Sequence, residues 1–318
     1  MRIAFTSCSS ARKFRLQPVW DQIAEADPDH LVLLGDSAYY DADDSSVGEV
    51  KGMSANDFAM HAYGRLRDQL SQTQFASLIE RSTLTTHAIW DDHDFLWNGA
   101  CGAQIESQPQ YAHLIAPTRA AFKAFRQALS ERDPSSFPPH PPAWASHTPP
   151  PGYSYIVLPQ NVVLHLTDGR SFKEWQGKDA LLGQDQMQQF ERALSDHKDA
   201  VHLLSSGLVF EKRSGETWLD CEMEHDRLLA LAGQYKILML SGDIHENRFA
   251  QYNTGGRWQM FEATASGAAL RTAVTIGELQ CNWGLLDIDG ASIQIIHSQI
   301  DLPLRKRTID ISTWTLRP

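Results

Sequence analysis

Five short stretches carry side chains able to do chemistry: Cys8; Asp36, Tyr39 and Asp41; Asp91, Asp92, His93 and Asn98; Asp168 and Arg170; and Asp243 with His245. The run Asp91-Asp92-His93-Asp94 is the most demanding of them. It lies between Trp90 and Phe95-Leu96-Trp97, which draw it toward the interior. Adjacent carboxylates near a core repel one another unless a cation compensates them, and that is the physical case for metal. The donor types then divide. A Cys thiolate, a Tyr phenolate and a His imidazole suit a polarising transition metal. A phenol with a pKa of about 10 ionises at neutral pH only beside a strong Lewis acid, for which ferric iron is the natural candidate. Asp92, Asp243 and Asn98 offer oxygen alone, which suits a harder cation such as Ca2+, Mg2+ or Mn2+, and Asp36 is suited to bridge the two. Two cations roughly 3.5–4 Å apart clamp an in-line displacement in which a metal-bound hydroxide attacks phosphorus. Taken singly, each stretch also has a plainer reading. A strand-end Cys fills core space, an Asp-x-Arg pair makes a structural ion pair, an acidic run is a solvated loop, and Tyr39 lines a pocket wall.

The elements that must position these groups are short apolar runs ending where the polar clusters begin. Leu31–Leu34 reads as a strand buried on both faces, and Gly35 lets the chain turn tightly into Asp36. Arg2–Thr6 is a strand ending at Cys8, and Pro18–Ala26 is a helix with Val19, Trp20 and Ile23 on its apolar face. Together they make the β-α-β opening of an α/β layer structure. Two helices are expected between Asn56 and Arg81, a strand at His87–Trp90 and an amphipathic helix over Pro117–Leu129. Strands follow at Tyr153–Leu158, Val162–Leu166, Val201–Leu204 and Lys236–Leu240, with helices at Gln184–Leu194 and Glu224–Ala232. Gly284–Asp289 and Ser292–His297 form a hairpin around Asp289-Gly290. Eight of the 15 prolines fall between Pro134 and Pro151, an irregular loop that reads equally as a rim of the site and as a plain connector.

The 318 residues suffice for a sizeable core, and no apolar run approaches the roughly 20 residues of a membrane helix. A formal charge of −11 and the lack of any Lys/Arg run argue against long nucleic acid as a partner. The four cysteines are widely spaced, which excludes a zinc knuckle and makes a disulfide framework a poor reading. The chain opens directly on a strand pattern, without an apolar h-region, so the expected location is the cytoplasm.

Gly-Asp-x-x-Tyr-x-Asp at Gly35–Asp41, Trp-Asp-Asp-His-Asp at Trp90–Asp94 and Ser-Gly-Asp-Ile-His at Ser241–His245 resemble the alkaline phosphatase D (PhoD-like) family. Ser7-Cys8, Asp168-x-Arg170, Leu182-Gly-x-x-Gln186 and Phe261-Glu-x-Thr-x-Ser266 follow the same order, so the resemblance covers nearly the whole chain. It implies an α/β fold, a four-layer α/β/β/α sandwich of two mixed sheets flanked by helices, with a dinuclear or larger metal centre between the sheets. By that resemblance Cys8, Asp36, Tyr39 and His245 hold Fe3+, and Asp36 bridges. Asp91, Asp92, Asn98 and Asp243 serve the second site, holding Ca2+ or else Mn2+, Mg2+ or Zn2+. His93 protonates the leaving oxygen or contacts the phosphoryl group, and Arg170 clamps phosphate. Asp94 stands where many members have Glu, and Trp97 and Gly99 flank Asn98 where further Asn or Asp ligands are common. The expectation is a single catalytic domain over 1–318, without the N-terminal β-sandwich domain of secreted members. It hydrolyses a small phosphate ester, needs no membrane, and uses metal-activated water rather than a Ser or Thr nucleophile. The alternatives are a phosphodiesterase acting on a small diester and a non-catalytic metal- or phosphate-binding protein.

Overall fold

Strand alternation sorts the apolar residues into three cores. In β1 (Arg2–Thr6), Ala4 faces outward to helices, while Ile3 and Phe5 face a second sheet. In β2 (His30–Leu34), Leu31 and Leu33 face the helices, and Val32 and Leu34 the inter-sheet core. Both faces are apolar because both are covered, the usual condition of parallel strands. The computed structural model describes all residues except 142–147, 175–179, 213–214, 272–278, 300–303 and 318.

The remaining strands are β3 (Thr85–Ile89), β4 (Ser154–Leu158), β5 (Val162–Leu166), β6 (Val201–Ser206), β7 (Lys236–Ser241) and β8 (Asn247–Tyr252). After these come β9 (Met260–Ala265), β10 (Leu270–Arg271), β11 (Leu279–Gln280), β12 (Asn282–Ile288), β13 (Ser292–Gln299), β14 (Arg305–Asp310) and β15 (Thr315–Leu316). The first sheet runs β15-β14-β13-β12-β1-β2-β3 and the second β4-β5-β6-β7-β9-β8, with β10 and β11 a separate pair. Both sheets are mixed. β1, β2 and β3 are parallel, as are β5, β6, β7 and β9, and antiparallel strands complete each sheet.

The helices are α1 (Val19–Glu25), α2 (Val47–Gly52), α3 (Ala55–Leu70), α4 (Thr73–Ile79), α5 (Asp92–Phe95), α6 (Gly102–Glu106), α7 (Ile115–Glu131), α8 (Gln184–Asp196) and α9 (Glu222–Ala232). Trp20 of α1, Phe58 of α3, Phe75 of α4 and Phe122 of α7 pack on the outer face of the first sheet. Met187 and Phe190 of α8 and Leu228 of α9 pack on Leu204, Ile237 and Met239 of the second. Val32, Leu34, Leu203, Leu238, Leu240 and Phe261 fill the space between sheets. This is the expected helix–sheet–sheet–helix order. Each of these side chains contributes roughly 1.5–3 kcal/mol by leaving water. Among the described residues no helix is long and apolar enough to cross a membrane.

The plainer alternative of a solvated loop at Asp91–Asp94 does not hold: α5 is a largely buried single helical turn, closed by Asp94 Oδ1 accepting from the Asp91 amide at 2.6 Å. The proline-rich 134–151 stretch has its described flanks over α3 and α7. Phe137 stacks on Tyr63 at 4.3 Å between centroids, and the Thr148 carbonyl accepts from Arg119. Its residues 142–147 lie outside the described ones.

Candidate metal centre and active site

Parallel register brings the C-terminal ends of β1, β2 and β3 level, since Thr6 pairs with Leu33 and Leu34 with Ile89. The alignment continues into the loops: the Cys8 amide donates to the Gly35 carbonyl at 3.3 Å and the Ser9 amide to the Asp36 carbonyl at 2.9 Å. From the second sheet, the Gly267 amide donates to the Ser7 carbonyl at 3.1 Å, tying the end of β9 to the end of β1. Loops at strand C-termini are where α/β folds gather chemistry, and here two sheets deliver them to one place.

The chain is strained where it turns. Cys8, Asp36, Asp243 and His245 all have positive φ, at 62°, 51°, 66° and 56°. Such conformations cost a non-glycine residue of order 1–3 kcal/mol and cluster at functional sites. Four of the expected ligands share this feature, which turns their side chains sharply out of the strand direction.

Around Asp36 three groups converge. The Cys8 thiol lies 3.4 Å and the Tyr39 hydroxyl 3.3 Å from Asp36 Oδ2, and the His93 amide donates to Oδ1 at 3.3 Å. Cys8 is also 3.1 Å from the Ser266 hydroxyl and 3.3 Å from that of Ser7. Burial pushes all three up, the Cys8 thiol, the Asp36 carboxyl and the Tyr39 phenol, each well above its ordinary pKa. Burial disfavours the ionised form of each, and a bound cation would favour it.

Beside this group, ligand atoms of Asp36, Asp92 and His93 lie within 4.8 Å of one another, and so do those of Asp91, Asp92 and Asp243. Asp92 thus belongs to both groupings and Asp36 to the first. Asp92 is oriented by its neighbours, accepting from the Gly99 amide at 2.6 Å and the His93 amide at 3.0 Å. Burial opposes its ionisation, but Arg170 and His93 hold it below the usual carboxylate range. Burial pushes Asp91 up to about 8 and Asp243 up to about 6, and Asp91 Oδ2 is buried without a hydrogen-bond partner. An orphaned carboxylate oxygen between two acidic groups, with thiol and phenol alongside, fits a centre built for cations.

His93 is held by Asp41. Its Nδ1 lies 2.6 Å from Asp41 Oδ1, while Asp41 Oδ2 accepts from the Asn98 amide at 2.7 Å. Burial works against protonation, yet Asp92, Asp36 and Asp41 push the imidazole up to about 10. His245 is half-buried, its amide donating to the Ser266 hydroxyl at 3.0 Å. Burial, then the charge of His93, pulls its imidazole down to about 4. Asn98 meets this network through its backbone, and its side chain is exposed.

Arg170 departs from its expected role. Its side chain is 0% exposed, with Nε on Asp91 Oδ1 at 2.5 Å and Nη1 on Glu216 Oε2 at 2.6 Å, and Nη2 stands 3.7 Å from Asp92 Oδ1. A guanidinium sealed from solvent among carboxylates cannot clamp an incoming phosphate; it anchors and partly neutralises the acidic cluster. Glu216, which also pairs with Lys173, is a partner that the sequence did not reveal. Asp41 was legible within the Gly35–Asp41 motif, but its role was not. Asp168 and Gln186 prove to be scaffold. Asp168 Oδ1 accepts from Trp90 Nε1 at 2.7 Å and from the Ser171 amide at 2.9 Å, and Gln186 Oε1 accepts from the Asp168 amide at 3.0 Å.

The structure of PhoD aligns with the whole chain: TM-score 0.69 at 15% identity, covering 100% of this chain and 71% of that one. Two other solved structures are more distant. Zn2+-complexed Vps29 from Entamoeba histolytica gives a TM-score of 0.37 at 8% identity, covering 98% of this chain and 99% of that one. TT1561 of Thermus thermophilus gives 0.41 at 9% identity, covering 99% and 96%. No curated protein matches the sequence. The profile of the PhoD-like phosphatases matches residues 3–282. A match of that extent, on a chain whose two sheets share PhoD's fold, means that this protein belongs to the PhoD-like phosphatase family.

Proposed function

We propose that this phosphatase is metal-dependent and hydrolyses small phosphoric esters by direct attack of water on phosphorus. The observation that supports this best is that Asp92 lies beside both Asp36 with His93 and Asp91 with Asp243, two largely buried groupings at strand ends of the two sheets. Cys8, Asp36, Tyr39 and His245 would hold a ferric ion, and Asp91, Asp92 and Asp243 a harder cation such as Ca2+, with Asp92 adjoining both. When bound, the cations would offset the buried carboxylates and supply Lewis acidity toward the phosphoryl group and the attacking water.

The chain's own groups divide the remaining work. Asp41 takes the Nδ1 side of His93, which leaves Nε2 to carry the proton for the departing oxygen. The carboxylates around His93 keep that proton in place, and cations in the centre would weaken their pull and make it easier to give up. Arg170 and Lys173 act through Asp91 and Glu216, fixing the acidic side chains rather than touching substrate. All four cysteines are buried and unpaired, which supports a reducing, cytoplasmic setting. The net charge of −11 supports a small ester over a long polyanion.

Elemental analysis of the purified protein, run beside a panel of mono- and diesters, tests the proposal. The expected result is a transition metal together with a hard cation, and hydrolysis lost on chelation and regained on reloading. Full activity in metal-free protein would overturn it, as would a loaded protein that cleaves no member of the panel.

A further inference from the structure

α7 carries Arg119, Lys123 and Arg126 at positions i, i+4 and i+7, which places all three on one helical face. With Phe122 and Pro149 to Pro151 they line a cavity of about 250 Å3. Among the described residues none of the three forms a salt bridge. The chain has 39 Asp and Glu against 28 Lys and Arg, so partners are abundant, yet no carboxylate lines this cavity.

The two arginines are half-buried, and burial pulls both below the ordinary guanidinium pKa, opposed only by the more distant charges of Asp168 and, for Arg119, Glu106. Arg119 Nη1 donates to the Thr148 carbonyl at 3.3 Å, while its Nε is buried with no acceptor. Guanidinium groups in a partly dry cavity lose hydration, and an orphaned donor costs its desolvation. A small anion relieves both. Phe122 and the prolines supply apolar walls without a competing N–H, so the cations supply the recognition. The volume, near the lower end of the range for small-molecule sites, admits a small oxyanion. The cavity is distinct from the metal centre: Phe122 stands between it and Trp90, the two rings 5.1 Å apart at their centroids.

We infer that this cavity is a binding site for a small oxyanion of the phosphate class, held by Arg119, Lys123 and Arg126. Calorimetric titration of the full chain, as purified, with inorganic phosphate tests it. The expected result is a class of bound phosphate in wild type, separate from any at the metal centre and still present after chelation, that weakens about tenfold or more in Arg119→Gln and in Arg126→Gln. Lys123→Gln, at an exposed position with little bearing on folding, should weaken the same class by a smaller factor. Lys198→Gln, at an exposed position on the other sheet's side, should leave the isotherm as it is. Phosphate should also raise the unfolding temperature of wild type more than that of the arginine variants. Identical isotherms for wild type and all three pocket variants would overturn the inference, and so would an equal loss in Lys198→Gln, which would reveal diffuse charge attraction.

Discussion

At residue scale, the donors that converge on Asp36 and the dyad of His93 and Asp41 make separable predictions. Asp41→Asn keeps the size of the side chain and removes the charge facing Nδ1. His93 then loses one of the carboxylates that raise it, so its protonated form persists over a narrower range. Hydrolysis that needs this proton falls as pH rises through the His93 pKa. In Asp41→Asn that fall should move to lower pH by on the order of one unit, with alkyl phosphates suffering more than p-nitrophenyl esters. An unmoved pH profile would leave Asp41 a purely structural partner. Tyr39 tests the first metal. Phenolate and thiolate on ferric iron both give charge-transfer absorption, so the loaded protein should be coloured, and Tyr39→Phe should shift or weaken the band while keeping the ring. A colourless, active, zinc-only protein would sink the ferric assignment and leave the phosphatase standing.

At the scale of elements, the loops after β2 and β6 close on Asp91 through glycines. Gly35 has φ +100°, and a Cβ there would sit 2.5 Å from Asp91 Cβ. A Cβ on Gly207 would sit 2.5 Å from Asp91 Cγ and Oδ1. Gly35→Ala meets both the left-handed backbone and the overlap, and should cost about 3 kcal/mol or more in unfolding free energy. Gly207→Ala meets the overlap alone and displaces the carboxylate that Arg170 holds. It should reduce hard-cation occupancy with a smaller loss of stability, about 1–2 kcal/mol. Wild-type cation content in Gly207→Ala would show that Asp91 is not needed at the centre. The one-turn α5 belongs here too, because its closure by Asp94 is what points Asp92 and His93 at Asp36.

For the whole molecule, acid sensitivity follows from histidines sealed into the sheets. His165 and His202, on neighbouring β5 and β6, share a contact of 3.0 Å between Nε2 and Nδ1, and both are fully buried. Burial pulls His165 far down and His202 down to about 4. The folded state therefore binds fewer protons than the unfolded chain once pH drops below about 6.5, so stability is full above that pH and falls toward pH 4. For His202 the loss is on the order of 3 kcal/mol, a large share of a typical total. His202→Leu should cost stability at pH 7 by leaving His165 Nε2 unpaired, its Nδ1 still on Tyr153, and the gap to wild type should narrow on acidification. Denaturant unfolding from pH 7 to 4.5 measures this; a gap that stays constant would mean that His202 does not titrate there.

The sequence by itself determined the order of strands and helices and the place of most polar clusters. Two-residue alternation such as Leu31/Val32/Leu33/Leu34, and the polar break after each apolar run, are local signals that need no partner to be read. It missed α2, α6, β8 and β14 and the short strands β10, β11 and β15, which lack a strong period, and it assigned no structure to the α5 turn because Asp94's cap is a contact, not a spacing. Cys8, Asp36, Tyr39, Asp91, Asp92, His93 and Asp243 were legible as a set because each follows a strand. The tertiary structure alone decided their roles. Whether Arg170 meets solvent or Glu216, whether Asp36 or Asp92 adjoins both groupings, and which carboxylate holds His93 depend on side chains 28 to 79 residues apart, such as Cys8 with Asp36 and Arg170 with Asp91. Burial set the charges. A carboxyl or a phenol ionises according to the water and cations around it, and only the folded packing of two sheets fixes those.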